Sequence, residues 1–105
     1  MIVKSKDAIK RTFQGVDFVV LAIGEKSMVT KMLYKKIDSV QNHSHPNEQS
    51  GYVISGKYKI TIDTNISILE SGDSYSIPAN IKHSLEVIIE GEVVDTFIPP
   101  REDYL

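Results

Sequence analysis

The hydrophobic and polar residues of this chain follow the pattern of a β-strand protein. The segment Lys57–Asp63 alternates polar and apolar side chains with a period of two, which is typical of a strand with one buried face. Segments rich in β-branched, leucine and aromatic residues recur between turn-forming residues. They are 17–23, 28–36, 52–54, 66–69, 74–77, 83–90 and 92–98. Together these segments predict about eight short strands.

Strands of this number and spacing predict an all-β domain, either a closed barrel or a sandwich. Closure of a sheet into a barrel removes exposed strand edges and can leave a small interior cavity for a ligand. The 105 residues suffice for one hydrophobic core and are too few for two ordinary domains, so we expect a single domain over residues 1–105. Only Asp7–Phe13 is expected to form a helical turn.

Composition narrows the functional classes. Hydrophobic residues make up 41% and charged residues 25%, which is normal for a soluble globular protein. The net charge of −2 argues against a nucleic-acid partner, which would require a basic face. The chain has no cysteine, so disulfides, thiolate metal sites and cysteine nucleophiles are excluded. We find neither a signal peptide nor a membrane-spanning apolar run, and we expect a cytoplasmic protein without membrane contact.

All three histidines occupy positions from which they could share one metal ion. His43 and His45 are two residues apart, so on an extended strand both imidazoles would leave the same face. His83 follows a turn-forming run and begins a predicted strand, where it shares a face with apolar residues. Gln49 follows His45 closely and can offer a carbonyl oxygen. Because neutral imidazole is the commonest metal ligand in proteins, these four residues predict a metal site.

Asp95 lies within the largely apolar final strand. A carboxylate buried without a partner is costly, so we expect Asp95 to meet a cation, a hydrogen-bond donor or solvent in a cavity.

The residues around the first two histidines resemble the first motif of the cupin superfamily. That motif is a glycine, five residues, His-x-His, three or four residues, a glutamate, six residues and a glycine. His43, His45 and Gly56 reproduce its spacing. The chain departs from the motif twice, because Ile37 replaces the first glycine and Gln49 replaces the glutamate.

The second cupin motif is also present. It runs from a glycine through Pro-x-Gly-x-x-His to an asparagine, and Gly72, Pro78 and His83 match its spacing. Asn80 stands where glycine is usual, and asparagine tolerates the left-handed backbone that this turn requires. Val87 replaces the final asparagine.

The resemblance implies a cupin-type double-stranded β-helix, a small jelly-roll barrel, with four ligands from two neighbouring strands. The ligands would be His43, His45, Gln49 and His83, holding one divalent ion: zinc, nickel, iron, manganese, cobalt or copper. Glutamine is a neutral ligand, so it should leave the ion more electrophilic than glutamate would. Glu48 could compete for this role, but strand alternation favours Gln49.

A narrower resemblance lies in HSHP-x-EQ-x-GYV-x-x-G at 43–56 and in the ending PPREDYL. Both are similar to pectin-degradation cupins that open the ring of unsaturated uronates. This resemblance implies that Asp95 transfers a proton, Phe97 walls the pocket and stacks on the sugar, and Arg101 binds a substrate carboxylate. Alternatively, Phe97 is a core residue and Arg101 pairs with a neighbouring acidic residue.

These observations favour a metal-dependent lyase or isomerase acting on a small sugar acid. A cupin dioxygenase and a non-catalytic binding module are the alternatives. Apolar residues on the opposite strand faces, within 52–54 and 94–98, also predict a homodimer, because exposed apolar sheet surface commonly marks an interface.

Overall fold

Ten antiparallel strands form two sheets in the computed structural model, which describes residues 1–105. The strands are β1 (Ile9–Phe13), β2 (Val16–Ile23), β3 (Met28–Tyr34), β4 (Ser39–His43), β5 (Glu48–Val53), β6 (Lys57–Ile62), β7 (Asn65–Glu70), β8 (Ser74–Ile77), β9 (His83–Ile89) and β10 (Gly91–Ile98). Two short 3-10 turns, Ser5–Asp7 and Glu102–Tyr104, lie near the ends of the chain. Neither helical segment is long enough to cross a membrane.

The two sheets share one hydrophobic core. The six-stranded sheet has the order β1-β2-β3-β10-β5-β8, and the four-stranded sheet has the order β4-β9-β6-β7. Phe18 and Val93 of the larger sheet and Tyr58 and Leu85 of the smaller sheet all belong to this core. Inward and outward residues alternate along the strands because successive side chains leave opposite faces. The predicted all-β fold class is confirmed.

The helical turn expected over Asp7–Phe13 is wrong. Ile9–Phe13 is a strand that pairs antiparallel with β2, and the helical conformation ends at Asp7. Gln14 and Gly15 connect the two strands with positive φ values of 50° and 80°. Positive φ at both central residues is the requirement of a type I′ hairpin turn, so Gln-Gly here replaces the more usual Asn-Gly.

Two regions contain more strand than the hydrophobic pattern predicts. Ser39–His43 is a strand, and the segment expected at 52–54 begins at Glu48 instead. The inward residues of β5 are Gln49, Gly51 and Val53, so only one of its three buried positions carries an apolar side chain. Gln49, the polar member of this inward set, faces the histidine cluster.

Candidate metal centre

The three histidines converge where the two sheets meet. His43 ends β4 and pairs in register with His83, which begins the neighbouring strand β9. His45 lies in the loop after β4, and its imidazole is buried. One ligand nitrogen from each histidine lies within 4.8 Å of the others. The structure therefore brings together the three histidines as the sequence predicts.

Each imidazole is oriented by a hydrogen bond to a backbone carbonyl. The Nδ1 atoms of His43, His45 and His83 lie 2.9 Å from the carbonyl oxygens of Gln41, Asn47 and Ile81, respectively. A carbonyl oxygen only accepts, so Nδ1 must donate, and in the neutral ring Nε2 then carries a lone pair. This is the arrangement by which proteins orient histidine ligands towards a metal.

The environment also favours the neutral, metal-binding form of the rings. Burial lowers the pKa of His43 and of His45 from the ordinary value. Burial lowers the pKa of His83 further, to about 4. Because a metal ion binds only deprotonated imidazole nitrogen, all three histidines are in the correct protonation state at neutral pH.

Gln49 places an amide oxygen beside the histidine cluster. Its Oε1 lies 3.0 Å from His45 Nε2, and its Nε2 donates to Asp95 Oδ1 over 3.0 Å. Since His45 Nε2 carries no proton, the first contact brings two acceptors together, and a cation between them would bind both lone pairs. The chemistry of the donor set, three imidazole nitrogens and one amide oxygen, therefore fits a divalent ion. Glu48 points outward and is exposed, in agreement with the alternation argument.

The expectation that the four ligands come from two neighbouring strands is wrong. His43 and His83 lie on the neighbouring strands β4 and β9, but Gln49 lies on β5 of the other sheet. His45 lies in the connection between β4 and β5. The site thus spans both layers of the barrel, because closure of the fold brings this end of the two sheets together.

Asp95 is 2% exposed on β10, beside Gln49 on β5, and it meets donors as the sequence predicts. Its Oδ1 accepts from Gln49 Nε2 and from the hydroxyl of Tyr75, at 3.0 and 2.5 Å. No protein group donates to Oδ2, and Asp95 lines the interior cavity. Burial raises the pKa of Asp95 to about 6, against the opposite effect of both donors.

Arg101 is buried among aromatic rings at the mouth of the cavity. Its guanidinium carbon lies 4.0 Å from the centre of the Tyr104 ring and 5.2 Å from that of Phe97. Its Nε and Nη2 donate to the two carboxylate oxygens of Asp103 over 3.1 and 2.6 Å. Pairing with a neighbouring acidic residue, the alternative raised from sequence, is therefore present. Nη1 makes no hydrogen bond within the protein.

Phe97 is 1% exposed and belongs to the core. Its ring meets that of His45 edge-on, with 5.7 Å between centroids, and it also faces Arg101. Phe97 therefore packs against both His45 and Arg101.

The interior cavity is narrow. It offers about 30 Å³ of space for water and is lined by His43, Gln49, His83, Asp95, Arg101 and mainly apolar residues. This volume accommodates only one or two water molecules. Outside it lies a wider depression of about 390 Å³ between 44–47 and 99–103. Arg101 borders both spaces, so a molecule too large for the inner cavity could occupy the outer depression and contact Arg101.

Sequence reasoning missed two tyrosines at the site. Tyr75 has a signal in its strand, because the alternation of SYSI places it on the same face as buried Ile77. Tyr104 is buried against Arg101 in the C-terminal 3-10 turn, and no periodic pattern marks it. Asn80 does adopt the left-handed conformation that the turn requires, with a φ of 66°.

Fold and site together define a class of protein: a small two-sheet jelly roll with a cluster of neutral histidines at one end of the barrel. The model of the Cupin domain family matches residues 31–96, and the chain belongs to this family. The predicted resemblance to cupins is confirmed.

Similarity to individual proteins points in the same direction. The pectin degradation protein KdgF of Dickeya dadantii (strain 3937) is 37% identical over 65 residues, which are 60% of this chain and 59% of that protein. An RmlC-like cupin from Shewanella frigidimarina superposes with a TM-score of 0.91 at 26% identity, covering 99% of this chain and 95% of the other. KdgF from Halomonas sp. has a TM-score of 0.86 at 20% identity, with 98% and 96% covered, and supports the fold.

Proposed function

We propose that this chain is a metal-dependent enzyme that opens the ring of unsaturated uronates to give linear keto-deoxyuronates. The observation that carries the proposal is the inward cluster of three neutral histidines and Gln49 beside the buried carboxylate of Asp95. The similarity to a pectin degradation protein over 65 residues supports the substrate class.

The proposed ligands are His43, His45, Gln49 and His83. A divalent ion held by them would act as a Lewis acid towards substrate oxygens. The linear product is an isomer of the cyclic substrate, so the reaction requires only proton transfers and one bond cleavage. The hemiacetal hydroxyl loses a proton, the bond from its carbon to the ring oxygen breaks, and the alkene carbon gains a proton.

Asp95 is the proposed proton-transfer residue. Its Oδ1 is held by two donors, whereas Oδ2 has no partner in the protein and is free to exchange a proton with substrate. Asp95 is 2% exposed, so only a small part of the residue faces solvent.

Arg101 is the proposed partner of the substrate carboxylate. Asp103 holds one edge of the guanidinium, the aromatic rings fix its plane, and Nη1 stays available for a charge-assisted hydrogen bond. Phe97 walls the cavity and packs against Arg101 and His45.

The test is to supply an unsaturated monouronate to metal-loaded protein and follow the loss of alkene absorbance. We expect rapid loss of absorbance with wild type. The rate should fall by about 10²-fold or more with Asp95→Asn, which keeps the shape of the side chain and removes the basic oxygen. Glu48→Gln, an exposed change on the same strand as Gln49, is the control and should leave the rate unchanged. If the wild type is no faster than buffer with every divalent metal tried, the proposal is wrong.

A homodimer forms part of the proposal. Tyr52 and Ile98 are 52% and 50% exposed on the outer face of the six-stranded sheet. A second copy that covered this face would remove apolar surface from water. We expect light scattering to give twice the chain mass at micromolar concentration and Tyr52→Glu to shift the protein towards monomer. A monomeric wild type would exclude the dimer.

A further inference from the structure

Tyr75 reaches Asp95 across an intervening strand. In the register of the six-stranded sheet, Gly51 of β5 pairs with Tyr75 of β8 on one side and with Asp95 of β10 on the other. The Tyr75 hydroxyl nevertheless donates directly to Asp95 Oδ1. The tyrosine ring therefore lies over the backbone of the strand that separates the two residues.

Gly51 is the residue that permits this crossing. A Cβ atom at position 51 would lie 2.1 Å from Cζ of Tyr75 and 2.4 Å from its hydroxyl oxygen. Real carbon atoms do not approach so closely, so any larger residue would displace the ring and break the contact. The φ of Gly51 is not positive, so this glycine is required for space rather than for backbone conformation.

The same carboxylate oxygen connects Tyr75 to the proposed ligand Gln49. Asp95 Oδ1 accepts from both the Tyr75 hydroxyl and Gln49 Nε2. The second bond determines which end of the amide faces inward, because the N–H group must point to the carboxylate and Oε1 must then point to His45. Fixing Asp95 from the opposite side consequently fixes the orientation of Gln49.

We propose that Tyr75, with Gly51 providing the necessary space, is a positioning residue that holds Asp95 so that Gln49 presents its carbonyl oxygen to the metal. The inference deepens the proposed function and rests on it for the catalytic consequence. The orientation of Gln49 and its effect on metal binding can be tested without any turnover.

The main test is titration with Co²⁺ of metal-free wild type and Tyr75→Phe, which keeps the ring and removes only the hydroxyl. We expect the dissociation constant to rise about tenfold, as it does when groups that orient metal ligands are lost. Tyr52→Phe removes an exposed hydroxyl from the same sheet and should change the constant by less than about twofold. Equal affinity of Tyr75→Phe and wild type would overturn the proposal.

A double-mutant cycle distinguishes positioning from a general structural role. If Tyr75 acts through Asp95, adding Tyr75→Phe to Asp95→Ala should weaken Co²⁺ binding no further. A tenfold loss in that background as well would contradict the proposed path. Gly51→Ala, which retains both the hydroxyl and the carboxylate, should weaken binding at least as much as Tyr75→Phe, provided that circular dichroism shows it to be folded.

The two proposals can fail independently. In the ring-opening assay we expect Tyr75→Phe to lower kcat while KM stays within about twofold. A wild type without ring-opening activity would contradict the proposed function, whereas the Co²⁺ titrations would still decide the role of Tyr75.

Discussion

At the scale of single residues, the contact between Gln49 and Asp95 accounts for the presence of an amide at position 49. An amide offers an oxygen on one side and two N–H donors on the other, so Gln49 can face an ion and still donate to the buried carboxylate 3.0 Å away. The glutamate of the cupin motif would instead place two carboxylates in contact. The amide at position 49 is therefore compatible with an ionised Asp95, whereas a glutamate there would oppose it.

The first prediction concerns Gln49→Glu. Two carboxylates in contact favour the uptake of one proton. A bound ion would keep the introduced glutamate ionised, so Asp95 would hold this proton and could no longer serve as a base. We expect ring opening to slow by about 10²-fold while the variant still binds metal. The measurement is uronate turnover together with metal analysis of the purified variant. Turnover at the wild-type rate would refute the coupling between the two residues.

Thr30 provides a second test at this scale. It is fully buried on β3, opposite Asp95 on β10, and its Oγ1 is the only buried side-chain polar atom without a hydrogen-bond partner. Replacing an unpartnered hydroxyl by a methyl group removes a desolvation penalty, so Thr30→Val should raise the free energy of unfolding by about 1 kcal/mol. Urea denaturation checks this, and Thr30→Ser, which keeps the hydroxyl, serves as control. A clear loss of stability in Thr30→Val would show that the hydroxyl does have a partner.

Among the elements, the turn between β8 and β9 determines where His83 begins its strand. Asn80 lies in this turn in the left-handed conformation, and its backbone N–H donates to the carbonyl oxygen of His45 over 2.8 Å. The turn thus holds the loop that carries one proposed ligand and leads directly into the strand that carries another.

We predict opposite outcomes for two substitutions at Asn80. Asn80→Val places a β-branched residue at positive φ, which should reduce the free energy of unfolding by about 1–2 kcal/mol and weaken Co²⁺ binding. Asn80→Gly fits the same conformation and should retain both properties. Thermal unfolding and metal titration measure the two effects. Similar behaviour of the two variants would contradict the role assigned to the turn.

Element by element, the sequence predicts best those strands whose inward residues are apolar. Lys57–Asp63 follows a period of two and corresponds closely to β6. β1 was not predicted because its residues are mostly exposed. The Gln-Gly turn that joins it to β2 is also an uncommon hairpin signal. β4 was not predicted because Val40 is its only buried apolar residue, and the first half of β5 was not predicted because its inward residues are Gln49 and Gly51.

Considered as a whole molecule, the site was predictable to the extent that it depends on residue type and spacing. The two cupin-like motifs, the first with His43 and His45 and the second with His83, were enough to place the three histidines together. The contact from Tyr75 to Asp95 was not predictable, because it depends on the register of three strands that are distant along the chain. The stacking of Tyr104 on Arg101 likewise requires the terminal 3-10 turn to fold back onto the barrel.

The buried tyrosines predict the response of the whole fold to alkaline pH. Burial raises the pKa of Tyr58 to about 12 and also raises the pKa values of Tyr34, Tyr75 and Tyr104. In the unfolded chain these phenols ionise near pH 10. Their contribution to stability is therefore complete below about pH 10 and is lost as the pH rises towards the folded values.

We expect the free energy of unfolding to be lower at about pH 11 than at about pH 9, as measured by urea denaturation. Tyr58→Phe should be less stable at both pH values, because it loses the hydrogen bond to the carbonyl oxygen of Ser55. Its free energy of unfolding should, however, fall less than that of wild type between about pH 9 and about pH 11. A pH dependence in Tyr58→Phe as steep as that of wild type would contradict the assignment.

The presence of proposed ligands on both sheets has a consequence for the thermodynamics of the fold. His43 and His83 belong to one layer and Gln49 to the other, so a bound ion would join the layers at one end of the barrel. An ion that binds only the closed barrel stabilises it by mass action, by about 2.7 kcal/mol at a free concentration one hundred times its dissociation constant. The melting temperature would then rise with the free metal concentration. A change in metal supply would alter the lifetime of the folded protein as well as the rate of the proposed reaction.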